Sequence, residues 1–432
     1  MIVLMVGLIV FLALRIPVAY SLGLSALAYF LLHRPELLPI LPQRLLAGFD
    51  TYELIALPLF ILMGQLMNAS GITSLLINFC LVFVGNICGA LGLVNVAASM
   101  LFGGISGSSA SDTASIGSVL IPEMKKRGYP ATFAAGITVA SSTMGMIVPP
   151  SIPMVIYAVT AQESVGKLFL GGIIPGIMVG LLQLTFVYFL AKKRDYPTQR
   201  VSFHRKEFLL SLLVLPMPVV VVGSVVGGIA TPTESAAIGV LYAALLACAL
   251  RTFGWKADGD QPAFSLASAY EAFRSASLTS AKIMMIIAMS KVFIWVLAYE
   301  RIPQTVAGEL LQLGSPPTLM MIAIAIFVLL AGTFIDVSPA ILLLTPVFLP
   351  AVQQAGISPI LFGVVLVSAL AVGACTPPVG NCLNVCSAVS GLKIGEIFKG
   401  ASFFLLANVI TLFLIILFPQ LVLWIPNAVM AE

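Results

Sequence analysis

The chain has 432 residues, of which 60% are hydrophobic and 9% are charged, and its net charge is +4. Soluble domains carry about 25% charged residues, so this composition excludes a soluble globular protein and predicts lipid as the main solvent. The basic residues form no long tract, and we expect no nucleic-acid partner. With two histidines, and six cysteines in apolar segments, we expect no transition-metal site and no covalent cofactor. The predicted fold class is an all-α polytopic membrane protein.

Apolar stretches recur along the chain, each long enough as a helix to cross roughly 30 Å of hydrocarbon. The first is longer than a simple crossing needs and contains Arg15 and Pro17, which predict that it is tilted, kinked or partly interfacial. The predicted spans fall near residues 1–32, 49–71, 131–160, 168–191, 207–227, 235–251, 277–299, 359–390 and 400–424. Two further stretches, about 89–124 and 317–352, have polar residues in their middles. Each is either a pair of crossings or a hairpin that enters the membrane and returns.

The distribution of positive charge distinguishes these alternatives. The loop 192–207 carries six Lys or Arg against two acidic residues, so the positive-inside rule places it in the cytoplasm. Counting spans from this loop puts the basic segments 125–127 and 252–274 on the same side and the uncharged turn 312–316 outside. The count works only if both polar-centred stretches are re-entrant hairpins, the first based on the cytoplasmic side and the second on the opposite side.

An internal repeat appears when the chain is compared with itself at an offset of 228 residues. The aligned pairs are Gly104 with Gly332, Pro122 with Pro350, Pro149-Pro150 with Pro377-Pro378, and Gly172 with Gly400. Each half then contains a hairpin followed by a Pro-Pro-broken helix, at 131–160 and at 359–390, and the two halves start from opposite faces. This is the inverted-repeat plan of secondary transporters. We predict a first repeat at 1–191, a linker and connecting span at 192–234, and a second repeat at 235–432.

Four polar interruptions at membrane depth carry the chemistry. They are the hairpin tips at 103–113 and 332–339 and the helix breaks at 141–153 and 373–381. Proline lacks an N–H and clashes with the preceding turn, so Pro-Pro leaves free carbonyl oxygens that suit an alkali cation. The same breaks create helix N-termini, whose N–H groups favour a carboxylate ligand. We therefore predict cation and anion sites side by side.

Two aspartates stand out by their isolation. Asp112 is the only charged residue between Leu54 and Pro122, and Asp336 is the only one between Leu310 and Leu392. An ionisable side chain at bilayer depth is unfavourable unless it is paired or hydrated, so both are functional candidates. The alternative is that each merely caps a helix. They are not equivalent in the repeat, because Asp336 aligns with Ser108.

The sequences of these segments resemble those of one family, and the likeness covers essentially the whole chain. Residues 103–157 begin GGISGSSASDTASIGSVLIPEMKKRGYP and end in MIVPPSIPMVIY, and residues 228–242 read GIATPTESAAIGVLY. Residues 56–67 (ALPLFILMGQLM) and 376–381 (TPPVGN) fit the same pattern. Together they resemble the large membrane (M) subunit of tripartite ATP-independent periplasmic (TRAP) transporters.

The resemblance implies a multi-pass protein of the bacterial inner membrane, not an enzyme, that works as an elevator-type secondary transporter. In that mechanism, hairpins and broken helices form a mobile transport domain and the other spans form a scaffold. The implied partners are a small four-span membrane subunit (Q type), here a separate polypeptide, and a periplasmic substrate-binding protein (P type). The implied substrates are carboxylates such as sialic acid, C4-dicarboxylates or other organic acids, with Na⁺ as the coupling ion.

Carried onto this chain, the resemblance implies two sodium sites that share the interruptions with the substrate. The first sodium site would involve Ser106, Ser108 and Asp112 with Pro149, and the second Gly332 and Asp336 with Thr376, Pro378 and Gly380. The implied substrate-binding residues are Ser108, Ser109, Ser151, Asp336 and Asn381. No residue is expected to be catalytic.

Two rival functions stay open on the residues alone. A standalone sodium–dicarboxylate symporter of similar architecture would need no binding protein. An intramembrane aspartyl protease would need the two membrane aspartates close enough to share a proton, but it would explain neither the repeat nor the Pro-Pro breaks.

Overall fold

The computed structural model describes residues 2–14, 16–48, 52–199, 205–255, 264–312 and 316–430, and within them it contains helices and no strands. The predicted kink residue Arg15 lies outside the described residues, as do parts of the loops predicted at 192–207 and 252–274 and of the turn at 312–316. The prediction of an all-α membrane protein is confirmed. In the described part of the chain, seven helical segments are long and apolar enough to cross a membrane, or eight if one pair bent by 70° counts as a single span.

The helices are numbered in chain order. They are α1 Ile2–Ala13, α2 Val18–His33, α3 Ile40–Ala47, α4 Ala56–Ala69, α5 Ile72–Val84, α6 Ala90–Ser106, α7 Ser109–Lys126, α8 Ala131–Ser142, α9 Met144–Ile147, α10 Ile152–Ala161, α11 Val165–Arg194, α12 Arg205–Leu212, α13 Pro216–Val226, α14 Pro232–Thr252, α15 Leu266–Tyr299, α16 Ile302–Gln312, α17 Pro317–Gly332, α18 Val337–Gln354, α19 Pro359–Gly373, α20 Asn381–Ser390, α21 Ile394–Leu417 and α22 Gln420–Val429. Two short 3₁₀ helices, Pro35–Leu37 and Tyr52–Ile55, precede α3 and α4.

The prediction of one span at 1–32 is wrong. The segment forms α1 and α2, which pack against each other, and Leu4 is buried in one cluster with Leu22 and Tyr29. A Cβ added to Gly7 would lie 3.5 Å from the hydroxyl oxygen of Ser25, so the chain reverses between the two helices. Pro17 directly precedes the first residue of α2. Proline cannot continue a helix from the preceding turn, so the apolar run is divided there.

Another predicted span divides, and one helix was not predicted. The span predicted at 49–71 corresponds to α4, and after it, at Gly71, whose φ is +70°, the chain bends by 70° into α5, which no predicted span covers. The span at 400–424 comprises most of α21, which ends at Leu417, and the start of a separate α22. Hydropathy locates such segments well but does not show where a glycine or proline ends the helix within them.

Both polar-centred stretches are helix–turn–helix pairs. The first hairpin is α6 and α7, and the second is α17 and α18. Each hairpin packs against the broken helix of its own half, α7 against α8 and α17 against α19. The two halves also interlock, since α10 packs against α18, α20 against α7, and α8 against α21. The four interruptions therefore meet in one region of the molecule.

The longest described helix, the 34-residue α15, forms one wall of this region. It packs against α2, α3 and α4 and also against α18 of the second hairpin. Helix α14 packs in turn against α4. These helices are hereafter called the framework: α2, α3, α4, α13, α14 and α15.

Candidate functional site at the helix interruptions

The first hairpin tip is seated on the first Pro-Pro break. Helix α6 ends at Gly107, where φ is +62° and the N–H donates to the carbonyl of Gly103 at 3.1 Å. The carbonyl of Gly107 accepts a hydrogen bond of 3.2 Å from the N–H of Ile152, the first residue of α10. A Cβ at position 107 would lie 3.1 Å from the carbonyl oxygen of Pro150. Glycine is needed here both for the left-handed turn and for this close approach.

The first break is buried and lined by main-chain oxygens. The helix stops at Ile147 and resumes at Ile152, and the peptide bond between Pro149 and Pro150 is cis. The hydroxyl of Ser151 donates to the carbonyl of Met146 at 2.5 Å and accepts from the N–H of Met154 at 3.4 Å, which caps α10. A Cβ added to Gly104 would lie 3.0 Å from the Pro149 carbonyl oxygen, so this oxygen faces the hairpin.

Asp112 points from the first hairpin toward the break and is fully buried. Its Oδ1 accepts a hydrogen bond from the hydroxyl of Ser106, and the Ser108 N–H donates to that same hydroxyl at 3.2 Å. Its Oδ2 has no hydrogen-bond partner among the described residues. A Cβ added to Gly145 would lie 2.4 Å from Oδ2, so this oxygen rests directly on the broken helix. A buried carboxylate oxygen without a donor is the kind of ligand that a hard cation seeks.

The second hairpin tip meets the second break in a similar way. The N–H groups of Val379 and Gly380 donate to the carbonyl of Thr333 at 3.1 Å and 3.4 Å. Asp336 caps α18, its Oδ1 accepting from the N–H of Val337 at 2.9 Å and from Nδ2 of Asn381 at 3.2 Å. The Pro377–Pro378 peptide bond is cis as well.

The second tip and break enclose a cavity of about 280 Å³. Of the residues implied for the second sodium site, Gly332, Asp336 and Gly380 line this cavity. Thr376 and Pro378 do not, and the Thr376 hydroxyl donates to the carbonyl of Val372 at 2.8 Å. Asp336 is exposed where Asp112 is buried, so the two tips offer unlike environments.

A central cavity of about 340 Å³ joins the two hairpin tips. It is lined by residues 106–111 of the first tip, residues 336–338 of the second tip, Asn381, and residues of α4, α9, α10 and α15. Four of the residues implied for substrate binding therefore share one cavity: Ser108, Ser109, Asp336 and Asn381. The fifth, Ser151, is buried beside it as the cap of α10 and does not line it.

Three polar residues of this cavity were missed by the sequence analysis: Gln65 of α4 and Thr279 and Lys282 of α15. Hydropathy predicts the span 277–299 as an ordinary lipid-facing helix and does not show which of its faces lines a cavity. The available signal was Lys282 itself, a charged residue near the middle of an apolar helix.

A buried polar chain also went unpredicted. The amide of Gln183 donates to Oδ1 of Asn408 at 2.7 Å and to the carbonyl of Ala140 at 2.9 Å. The amide of Asn408 donates to the hydroxyl of Thr143 at 2.5 Å, one residue before α9. These bonds tie α11 and α21 to the first broken helix, and buried networks of this kind fix one arrangement of packed helices.

Comparison with known proteins shows the family to which the chain belongs. The family described as "Tripartite ATP-independent periplasmic transporter, DctM component" matches residues 5–421. The chain is 36% identical over 417 residues to the sialic acid TRAP transporter large permease protein SiaM of Vibrio cholerae, covering 95% of each chain. It is 37% identical over 412 residues to the C4-dicarboxylate TRAP transporter large permease protein DctM of Pseudomonas aeruginosa, covering 94% of each.

Among solved structures, the chain is similar to the YdaH transporter of Alcanivorax borkumensis. The TM-score is 0.63 at 14% sequence identity, over 96% of this chain and 97% of that chain. At this identity the likeness shows the fold alone. The family match and the two close relatives confirm the resemblance seen in the sequence: the chain belongs to the DctM family and is the large permease of a TRAP transporter.

Proposed function

We propose that this permease imports a carboxylate, such as sialic acid or a C4-dicarboxylate, coupled to the entry of sodium. The observation that carries the proposal is the central cavity, where two hairpin tips and the helices that follow the two breaks bring hydroxyls, an amide and an aspartate together. The substrate class follows the names of the relatives SiaM and DctM.

Sodium binding is supported by the oxygen atoms at the interruptions. At the first, Oδ2 of Asp112 is buried without a donor, and the carbonyl of Pro149 faces the same hairpin. At the second, Asp336 lies with Gly332 and Gly380 around a small cavity. Carboxylate, hydroxyl and carbonyl oxygens are the ligands that hard cations prefer. We assign the coupling ions to these two places.

Carboxylate binding is supported by two helix N-termini. Helix α7 begins at Ser109 and α18 at Val337, and both residues line the central cavity. The N–H groups of a first helical turn and the positive end of the dipole favour an anion. The substrate would lie between them, with Ser108 and Asn381 as hydrogen-bonding side chains.

The inverted repeat at 1–191 and 235–432 is supported by matched close packing. Gly103 of α6 meets Gly145, where an added Cβ would be 3.0 Å from the Gly145 Cα, and Gly332 of α17 meets Gly373, where an added Cβ on Gly373 would be 2.8 Å from the Gly332 Cα. Gly145 and Gly373 are 228 positions apart, and Gly103 lies one position before Gly104, the residue that aligns with Gly332. In the elevator mechanism that we propose, the hairpins and broken helices move together against the framework. An uncompensated ion at depth is unfavourable, so movement requires a loaded site.

The proposal also covers the partner proteins of the permease and the membrane in which it lies. The family is tripartite, and we infer that the chain works in the bacterial inner membrane with a Q-type small subunit and a P-type periplasmic binding protein. The rival protease reading would need Asp112 and Asp336 to share a proton. Instead, the carboxylate of Asp112 faces Gly145 and that of Asp336 faces Asn381, which supports transport over hydrolysis.

The test is uptake into proteoliposomes that contain this chain with its small subunit. Succinate and N-acetylneuraminate are offered with and without external sodium, and with and without the periplasmic binding protein. We expect uptake of one acid only when sodium and binding protein are both present. Uptake without the binding protein would favour the standalone symporter, and uptake unaffected by replacing sodium with potassium would refute the coupling.

A further inference from the structure

One wall of the central cavity is the middle of α15, and this wall carries a lysine. Thr279, Lys282, Ile283 and Ile286 all line the cavity. Their spacing is i, i+3, i+4 and i+7, which places them on one face of the helix. Lys282 therefore belongs to the same surface that faces the two hairpin tips.

Lys282 and Asp336 are the two charged residues among those that line this cavity. The carboxylate of Asp336 is already held by the N–H of Val337 and the amide of Asn381. Lys282 makes no hydrogen bond or ion pair with another described residue. It lies near the start of the span predicted at 277–299 and is exposed at the cavity, so its ammonium group is open to an incoming anion. The cavity therefore contains a cationic side chain that has no anionic partner among the described residues.

We propose that Lys282 determines specificity by pairing with the carboxylate of the transported acid. The assignment rests on the proposed function and deepens it. With one sodium ion at each proposed site, the two aspartates, Lys282 and one substrate carboxylate together carry no net charge. The N-termini of α7 and α18 hold the substrate from the hairpin side, and Lys282 holds it from the framework side. A charge-assisted hydrogen bond of this kind selects an acid over its neutral analogue.

The chain supplies a matched control in Lys291. Nine residues at about 100° each place it on the opposite face of α15 from Lys282. It lies against α3, where a Cβ added to Gly48 would be 3.4 Å from its Cγ, and it does not line the central cavity. Both lysines are in the same apolar helix, so a general effect of removing a membrane charge would appear in either variant.

The experiment is equilibrium binding of radiolabelled succinate or N-acetylneuraminate to the purified complex of this chain and its small subunit, at saturating sodium. Wild type is compared with Lys282→Met, Lys282→Arg and Lys291→Met, and folding is checked by thermal unfolding. Lys282→Met should weaken binding of the transported acid by about ten- to a hundredfold. Lys282→Arg and Lys291→Met should bind it within a few-fold of wild type. Competition by the neutral amide of that acid should be unchanged in Lys282→Met.

Three other outcomes would overturn the assignment of Lys282 as the partner of the substrate carboxylate. Unchanged acid binding by Lys282→Met, with wild-type uptake intact, overturns the assignment and leaves the proposed function standing. Equal loss of acid and amide binding in Lys282→Met and Lys282→Arg shows a structural role for the lysine and also overturns it. If wild type neither binds nor takes up either acid with sodium, the proposed function fails, and this assignment fails with it.

Discussion

At the scale of single residues, the two membrane aspartates are similar in sequence context and different in structure. Asp336 is the residue just before α18, so its carboxylate accepts from its own helix and stays exposed. Asp112 is one turn inside α7, so its carboxylate turns toward Ser106 and Gly145 and is fully buried. This one-turn difference between the positions of the two aspartates was visible in the repeat, where Asp336 aligns with Ser108. Its consequence for burial depended on the packing of α9 against α7, which a sequence alone does not give.

Replacing Asp112 by asparagine should impair sodium coupling more than folding. The change removes the charge and one of the two acceptor oxygens at a buried site, where a hydrogen bond or ligand to a charged group contributes about 1.5–3 kcal/mol. We therefore expect the sodium concentration for half-maximal uptake to rise at least about tenfold. The measurement is the sodium-activation curve of acid uptake in proteoliposomes.

Glu123→Gln is the control for that variant. Glu123 lies on the same helix, but it is exposed and pairs with Arg127 at 2.8 Å. Surface pairs of this type contribute at most about 1 kcal/mol, so its sodium-activation curve should match wild type. A wild-type curve for Asp112→Asn would show that Asp112 is only a buried cap.

At the scale of helices, the interruptions were predictable and the directions of the flanking helices were not. The hairpins predicted at 89–124 and 317–352 are close to α6–α7 and α17–α18, because glycine, proline and serine act on the local backbone. The failures have a different origin. The reversal between α1 and α2 and the sharp turn into α5 depend on which apolar faces find each other after the helix ends.

Gly145→Ala tests how tightly the first broken helix is fitted to its hairpin. The new Cβ would lie 2.4 Å from Oδ2 of Asp112 and 2.9 Å from its Cγ, so the carboxylate or the helix must shift. Overpacking of this kind destabilises by about 1–3 kcal/mol. We expect a lower Tm in detergent and a smaller rise of Tm on adding sodium.

Gly395→Ala is the matched control, because nothing lies within 4 Å of the Cβ that it would introduce near the start of α21. It should leave both the Tm and its response to sodium at wild-type values. If Gly145→Ala also keeps the full sodium response, the contact between Gly145 and Asp112 has no part in cation binding.

At the scale of the whole molecule, the central cavity lies where the hairpins and broken helices meet the framework. Ile283 of α15 and Val337 of α18 line it from the two sides. In an elevator, these two residues must move relative to each other in every cycle, whereas residues within the framework keep their distances. Ser224 of α13 and Ser235 of α14 are such a pair, with hydroxyl oxygens 2.8 Å apart.

Cross-linking tests whether α18 moves relative to α15 while α13 and α14 keep their distance. Cysteine pairs Ile283→Cys with Val337→Cys, and Ser224→Cys with Ser235→Cys, are introduced into a chain whose six native cysteines are replaced. A short bifunctional thiol reagent should stop uptake by the first pair, because it ties the second hairpin to the framework. It should leave uptake by the second pair near its untreated rate. Undiminished uptake by a fully cross-linked first pair would exclude relative movement of α18 and α15.

The most direct measurement follows both transported species in the same proteoliposomes. Radiolabelled sodium and the labelled acid are counted together while the binding protein delivers the acid from outside. We expect sodium to enter with the acid in a fixed ratio, and we expect omission of either one to stop the coupled entry of the other. Entry of the acid at the normal rate with no accompanying sodium would contradict the idea that the broken helices hold a cation beside the substrate.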